Sequence, residues 1–118
     1  MKQPEAAVIN VSSALGIVPK ESAPVYCATK AAIHSFSKSL RYQLEKTPVK
    51  VFEIIPSLVD TDMTRGRGKG KISPETLAKE VIKGLKKDNY EIRVGLVKIL
   101  FLVNRVLPSL AERVIRNG

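Results

Sequence analysis

The sequence contains few of the residues that build disulfides, metal centres and aromatic binding surfaces. Its 118 residues include one cysteine, one histidine, three tyrosines, three phenylalanines and no tryptophan. The lone Cys27 excludes an intramolecular disulfide and is typical of a reducing compartment, so we expect a cytoplasmic protein. His34 has no neighbouring cluster of cysteines, histidines and carboxylates in the sequence, and we therefore predict no metal site.

Long hydrophobic stretches are also missing. The longest apolar run, between Val94 and Val103, is interrupted by Lys98. It is much shorter than the roughly 20 residues that a membrane-spanning helix needs. Residues 1–5 are mostly polar and lead directly into a short apolar segment, which is not the pattern of a signal peptide. We therefore expect a soluble protein without stable membrane insertion.

Positive charge is abundant and unevenly distributed. The net charge is +9, and residues 65–118 carry 13 basic and five acidic side chains. The densest segment is a basic, glycine-rich run over residues 65–71, which we predict to be a solvated loop. There are two other interpretations of this run. It could form a lid over substrate or cofactor, or it could be part of a basic RNA- or lipid-binding module. Because no aromatic residue is available there for base stacking, we predict no nucleic-acid partner.

The hydrophobic pattern predicts alternating strands and helices. Apolar runs at residues 6–11 and 49–55 predict strands that are covered on both faces, and alternation over residues 90–94 predicts an edge strand. Apolar repeats and capping signals predict helices over residues 24–46, from residue 73 onwards, over 98–107 and over 110–116. This order predicts an α/β fold with a parallel sheet and flanking helices.

Three side chains near the first predicted strand form a candidate catalytic set. Tyr26 and Lys30 are four residues apart and therefore share one face of the predicted helix. A lysine ammonium at that distance favours the tyrosinate, which suits general acid–base catalysis. Ser13 lies 13 residues before Tyr26, at the end of an apolar run. The alternative is an amphipathic helix whose tyrosine and lysine only extend to the surface.

A second tyrosine provides a comparison. Tyr42 is followed four residues later by Lys46, but Thr29 rather than a serine lies 13 residues upstream. We predict that Tyr42 is a surface residue of the helix.

Several segments resemble the short-chain dehydrogenase/reductase family. Residues 9–16 (INVSSALG), 26–32 (YCATKAA) and 56–63 (PSLVDTDM) are similar to motifs of its catalytic half, and residues 90–95 with Asn104-Arg105 resemble the DltE-type bacterial branch. The resemblance implies an oxidoreductase that interconverts a small-molecule carbonyl and alcohol with NAD or NADP. It further implies a homo-oligomer that assembles through the helix over residues 24–46. The residues that match the family's site are Ser13, Tyr26 and Lys30 as catalytic groups, and Tyr26, Lys30, Pro56, Val59 and Thr61 beside the cofactor.

The family's phosphate-binding turn is absent from the sequence. No Gly-x-x-x-Gly-x-Gly or Gly-x-Gly-x-x-Gly motif follows a predicted strand, and the glycines of residues 65–71 alternate with basic residues. We therefore expect residues 1–118 to form a single partial domain, the C-terminal half of a Rossmann-type doubly wound fold. The alternative function is that of a catalytically inactive fragment that acts as an oligomerising interaction module.

Overall fold

The computed structural model describes residues 6–57 and 72–116. The elements follow the predicted order of strands and helices. In chain order they are β1 (Ala6–Val11), α1 (Pro24–Gln43), β2 (Val49–Pro56), α2 (Pro74–Lys86), β3 (Glu91–Val94), α3 (Val97–Val106) and α4 (Pro108–Arg116). A single 3-10 turn, Ala14–Gly16, lies between β1 and α1.

The three strands form one parallel sheet in the order β1-β2-β3. Val11 at the end of β1 pairs with Ile54, and Pro56 at the end of β2 pairs with Val94. The carboxyl ends of all three strands therefore lie along the same edge of the sheet. The predicted α/β fold, with a parallel sheet and flanking helices, is confirmed.

One face of the sheet carries an apolar core beneath α2. This helix begins where the sequence predicts, because the Ser73 hydroxyl accepts a hydrogen bond from the Thr76 amide at 3.1 Å and Pro74 occupies the first turn. The buried core side chains of β2 and β3 and the α2 side chains that pack on them are Phe52, Ile54, Ile92, Val94, Leu77, Val81 and Leu85.

The other face of the sheet contacts α1 through polar groups. The Asn10 amide donates to the buried Ser37 hydroxyl at 3.0 Å. Arg41 donates through Nε to the Val51 carbonyl at 3.1 Å and through Nη2 to the Tyr90 carbonyl at 3.2 Å. Val51 and Ile55 alternate with Phe52 and Ile54 along β2 and are also fully buried, so α1 packs on this face of the sheet through both apolar and polar contacts.

The prediction that β1 is covered on both faces is wrong for the described chain. Ile9 and Val11 are 45% and 49% exposed. Their register partners, Phe52 and Ile54, are buried in the core under α2. Because that helix packs over β2 and β3, it leaves this face of β1 uncovered at the edge of the sheet.

The C-terminal helices fold back toward the loop after β1. The Glu21 amide donates to the Arg116 carbonyl at the end of α4 at 2.9 Å. Val97 in α3 and Ala111 in α4 are buried, and the Arg93 guanidinium lies 3.7 Å from the centre of the Phe101 ring. No helix within residues 6–57 and 72–116 is long and apolar enough to cross a bilayer.

Candidate active site

Ser13 lies just beyond the carboxyl end of β1, where its hydroxyl caps the 3-10 turn. Its backbone is extended, and Oγ accepts a hydrogen bond from the Leu15 amide at 3.1 Å. This bond uses a lone pair of the hydroxyl and leaves its proton for another acceptor. Ser13 is half-buried. The end of β1 therefore holds a hydroxyl in a fixed place at the edge where ligands bind in open α/β sheets.

Gly16 lets the 3-10 turn approach α1 at Lys30. A Cβ atom on Gly16 would lie 2.7 Å from the Lys30 carbonyl carbon and 2.9 Å from the Ala31 nitrogen. Only a residue without a side chain permits this contact between two backbones. The glycine thus fixes the separation between the turn that carries Ser13 and the helix that carries Lys30.

Tyr26 and Lys30 lie on the first turns of α1. The Lys30 Nζ is 5.5 Å from the centre of the Tyr26 ring and donates to the Val11 carbonyl at 3.5 Å. The Tyr26 side chain is half exposed. Lys30 therefore connects the tyrosine to the end of β1, two residues before Ser13. All three predicted catalytic residues lie at this edge of the sheet.

The predicted cofactor-binding residues are only partly described. Pro56 is the last residue of β2, at the same edge as Val11. Val59, Thr61 and the basic run over residues 65–71 lie outside the described residues. Ser57, which follows the strand where the family usually has glycine, donates its amide to the Val94 carbonyl at 3.1 Å. Among the described non-glycine residues only Asp88 has a positive φ, so the serine causes no backbone strain.

The site places a phenol, an ammonium and a hydroxyl at the carboxyl edge of the sheet. These groups can assist the interconversion of a carbonyl and an alcohol. The phenol can exchange a proton, the ammonium can stabilise the phenolate and bind hydroxyl oxygens, and the serine can donate a hydrogen bond to a developing oxyanion. None of these side chains is a strong metal ligand in its protonated form. The donor set therefore suits proton transfer and hydrogen bonding.

Sequence reasoning missed a buried polar group directly beneath this site. The Ser12 hydroxyl donates to Oε2 of Glu53 at 2.6 Å, and both residues are buried. The two Glu53 oxygens also lie 2.8 Å from Nδ1 of His34. The sequence signal was that Glu53 lies inside a strand that is apolar apart from Glu53 and Lys50, since a carboxylate is almost never buried without a partner.

We expect Gly16→Ala to destabilise the chain by about 1–3 kcal/mol, because the new methyl group overlaps backbone atoms that cannot rotate away. Urea denaturation measures the loss. Ser35→Ala is the control, since Ser35 is exposed on α1 and a surface substitution usually changes stability by less than about 0.5 kcal/mol. Equal stability of the Gly16→Ala chain and the wild type would contradict the close contact.

Comparisons with known proteins identify the family of the chain. The family described as "short chain dehydrogenase" matches residues 1–72. The Bacillus subtilis protein described as "Uncharacterized oxidoreductase DltE" is 46% identical over 98 residues, which are 78% of this chain and 39% of that protein. A Staphylococcus epidermidis protein described as "Uncharacterized oxidoreductase" is 41% identical over 88 residues, 72% of this chain and 38% of that one.

Solved structures show the same fold. A Burkholderia cenocepacia short-chain dehydrogenase in complex with NADP superposes with a TM-score of 0.86 at 23% identity, over 97% of this chain and 48% of that one. A Sphingobium yanoikuyae short-chain dehydrogenase in complex with NADPH has a TM-score of 0.68 at 20% identity, over 74% and 36% of the two chains. The chain spans about two-fifths of the length of the curated relatives it matches. By its family match and its fold, the chain belongs to the short-chain dehydrogenase family.

Proposed function

We propose that the chain carries the catalytic half of an NAD(P)-dependent oxidoreductase that interconverts a carbonyl and an alcohol. One observation supports this most directly: the Lys30 ammonium lies 5.5 Å from the Tyr26 ring while it donates to the Val11 carbonyl near Ser13. A tyrosine, a lysine and a serine are thereby held at the carboxyl edge of a parallel sheet. The cytoplasmic location stays part of the proposal, because the single cysteine, Cys27, is a buried free thiol.

The residues present fit the nicotinamide end of such a cofactor. The bond to Val11 uses one of the three protons of the Lys30 ammonium, so the others can bind ribose hydroxyls. Pro56 ends the neighbouring strand at the same edge, where the ring and its substrate would lie. A bound nicotinamide cofactor supplies or accepts the hydride.

Side chains of this chain would transfer the proton and stabilise the negative charge that forms on the substrate oxygen. In the reducing direction the Tyr26 phenol donates its proton to the oxygen of the carbonyl as negative charge forms there, and Lys30 stabilises the resulting phenolate. The Ser13 hydroxyl, held in place by the Leu15 amide, donates a hydrogen bond to the same oxygen. In the oxidising direction the phenolate takes the alcohol proton, and the same contacts hold the substrate.

Cofactor binding to the purified 118-residue chain tests this proposal. We expect saturable quenching or enhancement of NADH or NADPH fluorescence, and we expect Lys30→Ala to weaken binding about tenfold or more, since hydrogen bonds to a charged group contribute about 1.5–3 kcal/mol.

Lys38→Ala is the matched control for this experiment. Lys38 lies on the same helix and is exposed, well beyond the turns that carry the site. Its removal changes the net charge equally and should leave the binding curve unchanged. A dissociation constant of about 1 mM already corresponds to weak binding. If no saturable binding is seen up to that cofactor concentration, the claim that this chain binds the cofactor by itself is contradicted.

We also propose that the chain self-associates through α1. The apolar row on the outer face of this helix is exposed, with Phe36 at 59% and the small residues Ala28 and Ala32 before it. Small residues let a second helix approach closely, and an exposed apolar row rarely stays uncovered. A second copy of α1 offers the complementary surface of a two-fold interface.

We expect Phe36→Glu to shift the chain from oligomer to monomer, because it places like charges opposite each other across a two-fold axis. Light scattering after size-exclusion chromatography measures the mass of each species. The control is Lys38→Glu, which lies two residues along α1 and therefore about 200° around the helix. Identical masses for the Phe36→Glu chain and the wild type would rule out this face as the interface.

A further inference from the structure

His34, Glu53 and Glu91 converge from three different elements, α1, β2 and β3. Nδ1 of His34 lies 2.8 Å from both oxygens of Glu53 and 3.9 Å from Oε1 of Glu91. One ligand atom from each residue lies within 4.8 Å of the others. Glu53 is fully buried, and the side chains of His34 and Glu91 are 17% and 22% exposed. Within the described residues, these are the three histidine, cysteine or acidic side chains that lie close enough together to share an ion.

Glu53 and Glu91 each also accept a hydrogen bond from a side chain other than His34. The Ser12 hydroxyl donates to Oε2 of Glu53 at 2.6 Å, and Nη2 of Arg93 donates to Oε2 of Glu91 at 2.8 Å. Groups of this kind orient the ligands of protein metal sites and are often as important as the ligands themselves. The carboxylate oxygens that face His34 are thereby fixed in direction.

One oxygen of the set lacks a partner. Within residues 6–57 and 72–116, Oε1 of Glu91 is a buried oxygen that accepts no hydrogen bond, and it faces Nδ1 of His34. A buried carboxylate oxygen without a partner is costly. Glu91 also borders a shallow cavity of about 310 Å³ that Asn89, Arg93 and Lys98 complete. An ion would therefore enter beside the Glu91 side chain, which is 22% exposed, and a small movement of this side chain would uncover the buried oxygen.

We propose that His34, Glu53 and Glu91 bind a divalent transition-metal ion of the Zn²⁺ type. Nitrogen and carboxylate ligands hold zinc at about 2.0–2.2 Å, so two ligand atoms in a tetrahedral shell lie roughly 3.4 Å apart. Nδ1 of His34 lies 2.8 Å from the Glu53 oxygens and 3.9 Å from Oε1 of Glu91, on either side of that value. Small side-chain shifts would therefore bring all three ligand atoms to the distances that the ion requires. One imidazole with two carboxylates suits zinc or manganese better than magnesium, which avoids imidazole ligands.

This site differs from the sequence-based prediction of no metal site and does not depend on the proposed oxidoreductase activity. A bound ion would join α1 to β2 and β3 on the face of the sheet that contacts this helix. Since binding to the folded state alone stabilises that state, zinc should raise the midpoint of thermal unfolding in a concentration-dependent way.

Nitrogen-15 NMR of the untagged chain labelled at histidine tests the proposal. His34 is the only histidine, so both imidazole nitrogens give unambiguous signals. On titration with ZnCl₂ we expect the Nδ1 resonance to shift strongly and to saturate at one ion per chain, and we expect MgCl₂ to leave it unchanged. An imidazole that does not respond to millimolar zinc, or that responds through Nε2, overturns the proposal. In that case His34 acts as a hydrogen-bond partner of Glu53 alone.

Calorimetry on variants supplies the second test. We expect Glu91→Gln to lower zinc affinity more than about 100-fold and Ser12→Ala to lower it about 10–100-fold, the range seen when groups behind metal ligands are removed. Glu45→Gln, an exposed carboxylate after the same helix, should have no effect. Loss of binding in Cys27→Ser, or equal binding by Glu91→Gln and the wild type, would place the ion elsewhere and overturn the proposal. Circular dichroism confirms that each variant is folded.

Discussion

Replacing Tyr26 by phenylalanine should reduce turnover about 10²–10⁴-fold, because the substitution removes the phenol that donates the proton in the proposed reaction. The ring and its contact with Lys30 remain, so cofactor binding should change far less than turnover. The measurement follows oxidation of NADH and NADPH against a panel of small aldehydes and ketones. A loss in kcat that greatly exceeds the loss in cofactor affinity is the expected pattern for a group that acts in the transition state.

The chain contains its own control for this prediction. Tyr42 and Lys46 have the same four-residue spacing as Tyr26 and Lys30, but Tyr42 is 71% exposed and lies near the far end of α1. Tyr42→Phe removes the same hydroxyl from the same helix and should leave turnover unchanged. If the two phenylalanine variants reduce the rate equally, or if Tyr26→Phe keeps the wild-type rate, Tyr26 is not the acid.

The sequence predicted those parts of the fold that depend on local pattern. The apolar run of β2, the alternation in β3 and the Ser73-Pro74 start of α2 each have a physical cause within a few residues, and the structure has all three elements. The same is true of Tyr26 and Lys30, since a four-residue spacing on a helix fixes their relative position. The 13-residue offset made Ser13 a candidate partner of these two residues, and the family resemblance supported it, because the intervening loop and not a helical spacing sets that distance.

The polar contacts between α1 and the sheet could not be predicted from local sequence pattern. His34, Glu53 and Glu91 lie on separate elements, and only the parallel register, which pairs Glu53 with Glu91, brings their side chains under α1. Likewise, the apolar character of β1 predicted burial, but burial requires a covering element on that side of the strand. Ile9 and Val11 have none within the described chain. Periodicity reveals which face of an element is apolar, and tertiary arrangement decides what covers it.

Removing the Glu53 carboxylate should cause the largest loss of stability on this face. In Glu53→Ala, measured with EDTA present, the Ser12 hydroxyl loses its 2.6 Å acceptor and Nδ1 of His34 loses both oxygens at 2.8 Å. Hydrogen bonds to a charged group contribute about 1.5–3 kcal/mol each, and the space left by the buried side chain adds to the loss, so we expect destabilisation of about 3 kcal/mol. A small domain has only about 5–15 kcal/mol in total, so urea denaturation should show a much earlier midpoint.

Two further variants separate the hydrogen bonds from the general effect of losing a carboxylate. Glu53→Gln keeps an oxygen that can accept from Ser12 and should lie between the wild type and Glu53→Ala. Glu45→Ala, at an exposed position, should change stability by less than about 0.5 kcal/mol. Because His34 is one turn beyond Lys30 on α1, loss of the Glu53 contacts also loosens the helix that presents Tyr26. A Glu53→Ala chain as stable as Glu45→Ala would mean that α1 is held on the sheet by its other contacts.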